Sequence, residues 1–211
     1  MLGGALLLPL TLAAQTFTIL YDFGSQHNHE AAPHAGVIPG PQGELYGTAS
    51  KGGKWNLGTV FELLPPPTAG GDWTETVLHS FNGQDGESPT AGLARGPSGA
   101  LYGVTPSSAN GSAMAFQLDP PDGTNTHWTY SIIYQFTNSD GIPSGALVFG
   151  TGQSLYGVTE TQSGGTVYSL TPPAAAGGTW TQTSLYNFAD RAPGGNLKAH
   201  WRWAATVLCS A

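Results

Sequence analysis

Three of the six histidines fall within one short stretch, His27-Asn28-His29-Glu30-Ala31-Ala32-Pro33-His34. Imidazoles spaced around a carboxylate can ligate a divalent cation, and an unligated one can act as a general base. His27, His29 and Glu30 are therefore the candidate bases, and His34 a candidate metal ligand. Asp85, Asp140 and Asp190 each follow a Phe by a few residues, at positions that align along the chain. Carboxylates brought together from such loops suit Ca2+, which takes about six to eight oxygens. Asp85, Asp140, Asp190 and His34 are thus the candidate metal ligands, with Ca2+ the candidate cofactor. The chemistry would be hydrolysis. A cation would polarise a lactone or ester carbonyl, or less readily a glycosidic oxygen, and activate water. A structural reading competes with it: Asp85-Gly86 and Asp140-Gly141 are turn-forming pairs, and a His-rich turn needs no function. His79 and His127 stand alone and read as structural. The sequence has no Gly-x-Ser-x-Gly, no His-Glu-x-x-His and no phosphate loop before a helix. Cys209 is the only cysteine, which excludes an intrachain disulfide and a thiolate metal site.

The elements that must position these residues repeat. Leu-Tyr-Gly begins at residues 45, 101 and 155, a period of about 55 residues, and such a period indicates a repeat architecture. Before each copy lies a short apolar strand: Ala35-Gly36-Val37, Ala91-Gly92-Leu93 or Gly145-Ala146-Leu147. After it comes Gly58-Thr59-Val60-Phe61-Glu62-Leu63, matched by Ala113 to Leu118 and by Gly165 to Leu170. Prolines then close the strand, since proline cannot donate to a ladder. An alternating strand follows and ends in Phe: Trp73–Phe81, Trp128–Phe136 and Trp180–Phe188. Gln15–Phe23 has the same alternation and reads as a further strand of this kind. The sequence therefore predicts an all-β chain of four-stranded antiparallel units of about 55 residues. The arrangement is β-propeller-like and incomplete, with about 3.5 blades. The repeated Tyr of Leu-Tyr-Gly and Trp of Trp-Thr are expected in the core between blades, with a sugar-stacking surface as the alternative.

Leu-Tyr-Gly-x-Thr, Gly-Thr-Val-Phe-x-Leu and Trp-Thr-x-x-x-Leu-x-x-Phe, taken together, resemble the bacterial GloVer repeats of secreted "choice-of-anchor" proteins. The resemblance covers roughly residues 15 to 197, and it implies a propeller-like fold without specifying an activity. Repeat 2 departs from it where Gly-Thr-Val becomes Ala113-Met114-Ala115. The His27–His34 stretch also loosely resembles the metal motif of metallo-β-lactamase-type lactonases, with the third His displaced.

Residues 1–14 read as a signal peptide. Leu2–Ala14 is an apolar run ending in small residues, too short to span a bilayer. The expected location is secreted or periplasmic, with no membrane span. The repeat domain is expected over 15–197, in units of about 15–78, 79–134 and 135–188 and a partial unit 189–197. Residues 198–211 carry none of the repeat residues. Reading their codons shifted by one base allows Leu-Ala-Val-Gly-Gly-Asp-Gly-Ala-Leu-Phe-Gly, which follows Leu147–Gly157. The tail is therefore expected to be translated out of frame. A net charge of −7, from six basic and thirteen acidic residues with no basic stripe, argues against a nucleic-acid partner. The expected function is binding of a small-molecule or surface-glycan ligand. A Ca2+-dependent lactone or ester hydrolase and a structural surface protein are the alternatives. Open sheet edges are expected to permit self-association.

Overall fold

The computed structural model describes residues 17–24, 32–162, 164–175 and 178–188. The 1–14 leader, His27, His29, Glu30, Asp190 and the 198–211 tail lie outside them. The described residues form three antiparallel sheets and a single three-residue 3-10 turn at Thr151–Gln153, so the all-β reading holds. Sheet I contains β1 (Ile38–Pro39), β2 (Leu45–Ala49), β3 (Thr59–Leu64) and β4 (Thr74–Ser80) in that order. Sheet II repeats it with β5 (Ala94–Arg95), β6 (Leu101–Thr105), β7 (Met114–Asp119) and β8 (Thr129–Gln135). Sheet III adds β9 (Ile142–Pro143) to β10 (Val148–Phe149), β11 (Leu155–Thr161), β12 (Gly164–Thr171) and β13 (Thr181–Asn187). β9 pairs with the far end of β11. Single bridges do the same at Pro33–Ala49 in repeat 1 and Glu87–Ser107 in repeat 2.

In each sheet the Leu-Tyr-Gly strand pairs with the strand that follows it. Its Gly lies opposite an aromatic of the third strand: Gly47 opposite Phe61, Gly103 opposite Phe116, Gly157 opposite Tyr168. A Cβ on Gly103 would sit 2.4 Å from the Phe116 ring, and one on Gly47 2.5 Å from the Phe61 ring. The missing side chain is the groove in which the ring lies, a cross-strand pairing of aromatic and glycine.

Alternation sends the Tyr to the other face, toward the next sheet. Tyr46 and Val60 of sheet I, with Phe81, meet Leu93, Leu101, Phe116 and Leu118 of sheet II. Tyr102, Val104 and Phe136 meet Leu147, Leu155, Tyr168 and Leu170 of sheet III in the same way. In sheets II and III the Trp opening the outer strand reaches back to the preceding sheet's Tyr. Trp128 contacts Tyr46 at 5.7 Å and Trp180 contacts Tyr102 at 6.2 Å, both edge-on. Each buried Phe or Leu at these interfaces contributes about 1.5–3 kcal/mol. The repeated aromatics are therefore core. In all three sheets the outer strand bulges at one position, opposite Val60/Phe61, Ala115/Phe116 and Val167/Tyr168. The bulge turns Leu78 of sheet I and Ile133 of sheet II into the interface with the next sheet.

One element departs from expectation. Phe17–Asp22 has strand-like alternation but belongs to no sheet. Alternation sets which face is apolar; a strand also needs a neighbour to pair with. Only the end of the segment packs, where Tyr21 and Phe23 join Leu45, Phe61, Leu63 and Trp73.

Candidate functional site

The loops after each outer strand hold the candidate carboxylates, and the chain folds them locally. After Phe81 the backbone N–H of Asn82 donates to Asp85 Oδ1 at 2.9 Å, and the Asn82 side chain accepts from Gln84 N–H at 2.8 Å. Asp85 Oδ2 lies 3.0 Å from His79 Nε2. The His79 ring stacks on Tyr130 of sheet II, with centroids 4.0 Å apart and planes 11° from parallel. The Tyr130 hydroxyl donates to the backbone carbonyl of Asp85. The loop is thereby clamped both to the strand it leaves and to the next sheet. Repeat 3 builds the same brace from other residues. Asp140 Oδ2 accepts from the Thr137 N–H at 2.8 Å, from Thr137 Oγ1 at 2.8 Å and from the Tyr134 hydroxyl at 3.2 Å.

The glycine after each aspartate has its own reason. Gly86 has φ +112° and Gly141 φ +82°, the left-handed region. A Cβ on Gly86 would lie 2.5 Å from Thr105 Oγ1 of sheet II, and one on Gly141 2.7 Å from the Glu160 carbonyl of sheet III. Asp-Gly thus both turns the chain and lets it approach the neighbouring sheet. Beneath these loops Thr105 and Thr159 bury hydroxyls without a hydrogen-bond partner, as do Thr59 and Ser108.

Burial governs the electrostatics. It holds the His79 imidazole below the ordinary histidine range, against the opposing pull of Asp85. The ring is therefore neutral at neutral pH, a polar brace with low proton affinity. Burial, joined by the Asp85 charge, pushes the Tyr130 phenol far up. Burial does the same at Tyr46, with the Glu62 and Glu44 carboxylates adding to it. Glu44 is itself buried and accepts from the Tyr46 hydroxyl at 3.2 Å and from Gln42 N–H at 2.8 Å.

His34 is exposed beside the Pro33–Ala49 bridge. Asp85 and Asp140 stand in different loops, each engaged by its own loop and by the strand before it. Among the described residues no three His, Cys, Asp or Glu side chains come together. The geometry there supports a loop brace. His79 is not isolated, contrary to expectation: it holds Asp85. The signal was in the repeat, because the residue two before each Phe is Tyr21, His79, Tyr134 or Tyr186, and His79 takes the place of a phenol.

A further exposed feature has no counterpart in the repeat pattern. Trp55 lies outside the Trp-Thr pattern, in the loop between β2 and β3, and is 48% exposed. The loop is pinned by Gly52 N–H to Asn56 Oδ1 at 2.9 Å and Gly58 N–H to the Gly52 carbonyl at 3.2 Å. Lys54 Nζ sits 4.6 Å over the Trp55 ring. A flat aromatic on a braced loop, with a cation beside it, can stack on a sugar ring or another planar group. The equivalent loops of repeats 2 and 3, after Thr105 and Thr161, carry no aromatic.

A family model described as Gloeobacter/Verrucomicrobia repeat matches residues 3–202. No curated protein matches the chain.

Proposed function

The chain belongs to the Gloeobacter/Verrucomicrobia repeat family, and on that footing we propose that it is a secreted binding module that recognises an extracellular ligand, most readily a surface glycan. The observation carrying this reading is a division of labour within the repeat. The recurring Tyr, Phe and Trp residues pack between sheets, while the loops differ from repeat to repeat, and one of them presents Trp55. A rigid stack of sheets with variable loops is suited to presenting contacts. The apolar run at the N-terminus and the expected leader supply the route out of the cell. The candidate hydrolase residues His27, His29 and Glu30 stand against this reading as its competitor.

A pull-down of the purified chain on insoluble polysaccharides, paired with lactone, ester and glycoside assays, separates the two. The binding module is retained on one polysaccharide, and Trp55→Ala abolishes retention at an unchanged melting temperature. Hydrolysis lost with EDTA, restored by Ca2+ and removed by His29→Ala would replace binding with catalysis.

A further inference from the structure

Each sheet receives, on the face carrying its third-strand aromatic, a Phe from the outer strand before it. Phe81 seats on Phe116 at 5.4 Å and 65°, and Phe136 on Tyr168 at 5.3 Å and 73°. Sheet I receives Phe23, which seats on Phe61 at 4.9 Å and 62°. The residue two before each Phe lies edge-on to it at 5.0 Å in all three cases: Tyr21, His79 and Tyr134. Tyr21 also donates to Glu75 at 3.1 Å, and Glu75 occupies the repeat position at which Tyr130 meets His79. Phe17–Phe23 therefore ends as an outer strand ends. Among the described residues it has none of the inner strands on which β4, β8 and β13 form. Its leading residues are open, with Phe17 91% and Ile19 71% exposed.

At the far end, sheet III repeats the donor face. Tyr186 and Phe188 make the same edge-on pair at 4.7 Å, and Tyr186 is half exposed. A second copy of the chain does not fit between these ends. Its own Phe188 would need the seat over Phe61 that Phe23 already holds. What fits is a unit with three inner strands and no outer strand.

We propose that Phe17–Phe23 and the outward faces of sheets I and III form a docking site for the three inner strands of a fourth repeat unit, continuing from Phe188. Phe17–Phe23 becomes that unit's outer strand, completing a four-stranded sheet of the kind that forms a propeller blade. The register follows from sheet III, where Tyr168 faces Ser184 and Val167 faces Tyr186. The incoming strand accordingly sets its Tyr or Phe opposite Ile19 and the Val before it opposite Tyr21.

The test uses amide hydrogen exchange of the full chain, alone and with a peptide copying residues 137–171. A second protein carries that same stretch in place of residues 189–211. In the chain alone, amides 17–22 exchange freely. Peptide or fusion slows them at least about a hundredfold, as sheet pairing does, and a peptide with Val167→Asp and Tyr168→Asp does not. Unchanged exchange in both forms, with sheets I–III still protected, overturns the proposal. So does a dimer of the unmodified chain that protects the same amides, which would make a second copy the occupant.

Discussion

The recurring polar residues are explained by the braces they build. Asp85 and Asp140 align because each must accept the backbone N–H that follows a buried Phe. A metal is one reason for carboxylates to align on repeated loops; a shared turn is another, and here each aspartate bonds its own loop and the strand that leads into it. His79 fills a position that is Tyr in the other repeats, and this yields a pH prediction. Burial holds its folded pKa below the unfolded value of about 6.5. As pH falls through that value the unfolded chain takes up the proton first, so stability drops; above about pH 7 the effect is flat. Thermal melts of wild type and His79→Tyr between pH 5 and pH 8 check this. The wild type loses melting temperature on the acid side relative to the variant, whose phenol donates to Asp85 without titrating in that range. Equal acid sensitivity in the two would show that His79 is not the titrating brace.

At the scale of the element, most of the fold was legible because its signals are local. Alternation, Gly and Pro fixed the strands, and three Leu-Tyr-Gly copies fixed their order. The Tyr and Trp positions are legible as core, since a residue recurring at one strand position in every unit most simply packs against the neighbouring unit. The failures were non-local. Phe17–Asp22 alternates like β4 but lacks a pairing partner, which alternation does not reveal. The His79–Asp85 pair spans a strand end and a loop, so neither residue's surroundings announced it. Trp55 lies outside the repeat pattern, so periodicity carries no signal for it. The glycine of Leu-Tyr-Gly provides a test at this scale. Gly103→Ala places a methyl into the fully buried Phe116 ring and is expected to cost about 1–3 kcal/mol. Gly36→Ala has open space around its new Cβ and an ordinary φ, so it is expected to be neutral or slightly stabilising. Urea unfolding of the two variants reads the difference directly, and similar midpoints would show that the ring is not held against the glycine.

At the scale of the molecule, the three sheets of the described residues are joined by two interfaces of one design, and nearly every repeated residue contributes to one of them. A scaffold of this kind leaves binding to whatever its loops add, and the family match describes a repeat without naming a reaction. The central claim is that Asp85 and Asp140 brace the loops in which they lie. A ligand that binds only the folded chain raises its stability by about 2.7 kcal/mol at a hundred times its dissociation constant. A brace contributes about 1–3 kcal/mol whether or not a cation is present. The deciding measurement is the melting temperature of wild type, Asp85→Ala and Asp140→Ala, each with EDTA and with excess Ca2+. The account predicts that both variants melt several degrees below wild type, by the same margin in either solution, and that Ca2+ leaves the wild type unmoved. A Ca2+-dependent rise in the wild type that either substitution abolishes would contradict it and return these loops to the candidate metal centre.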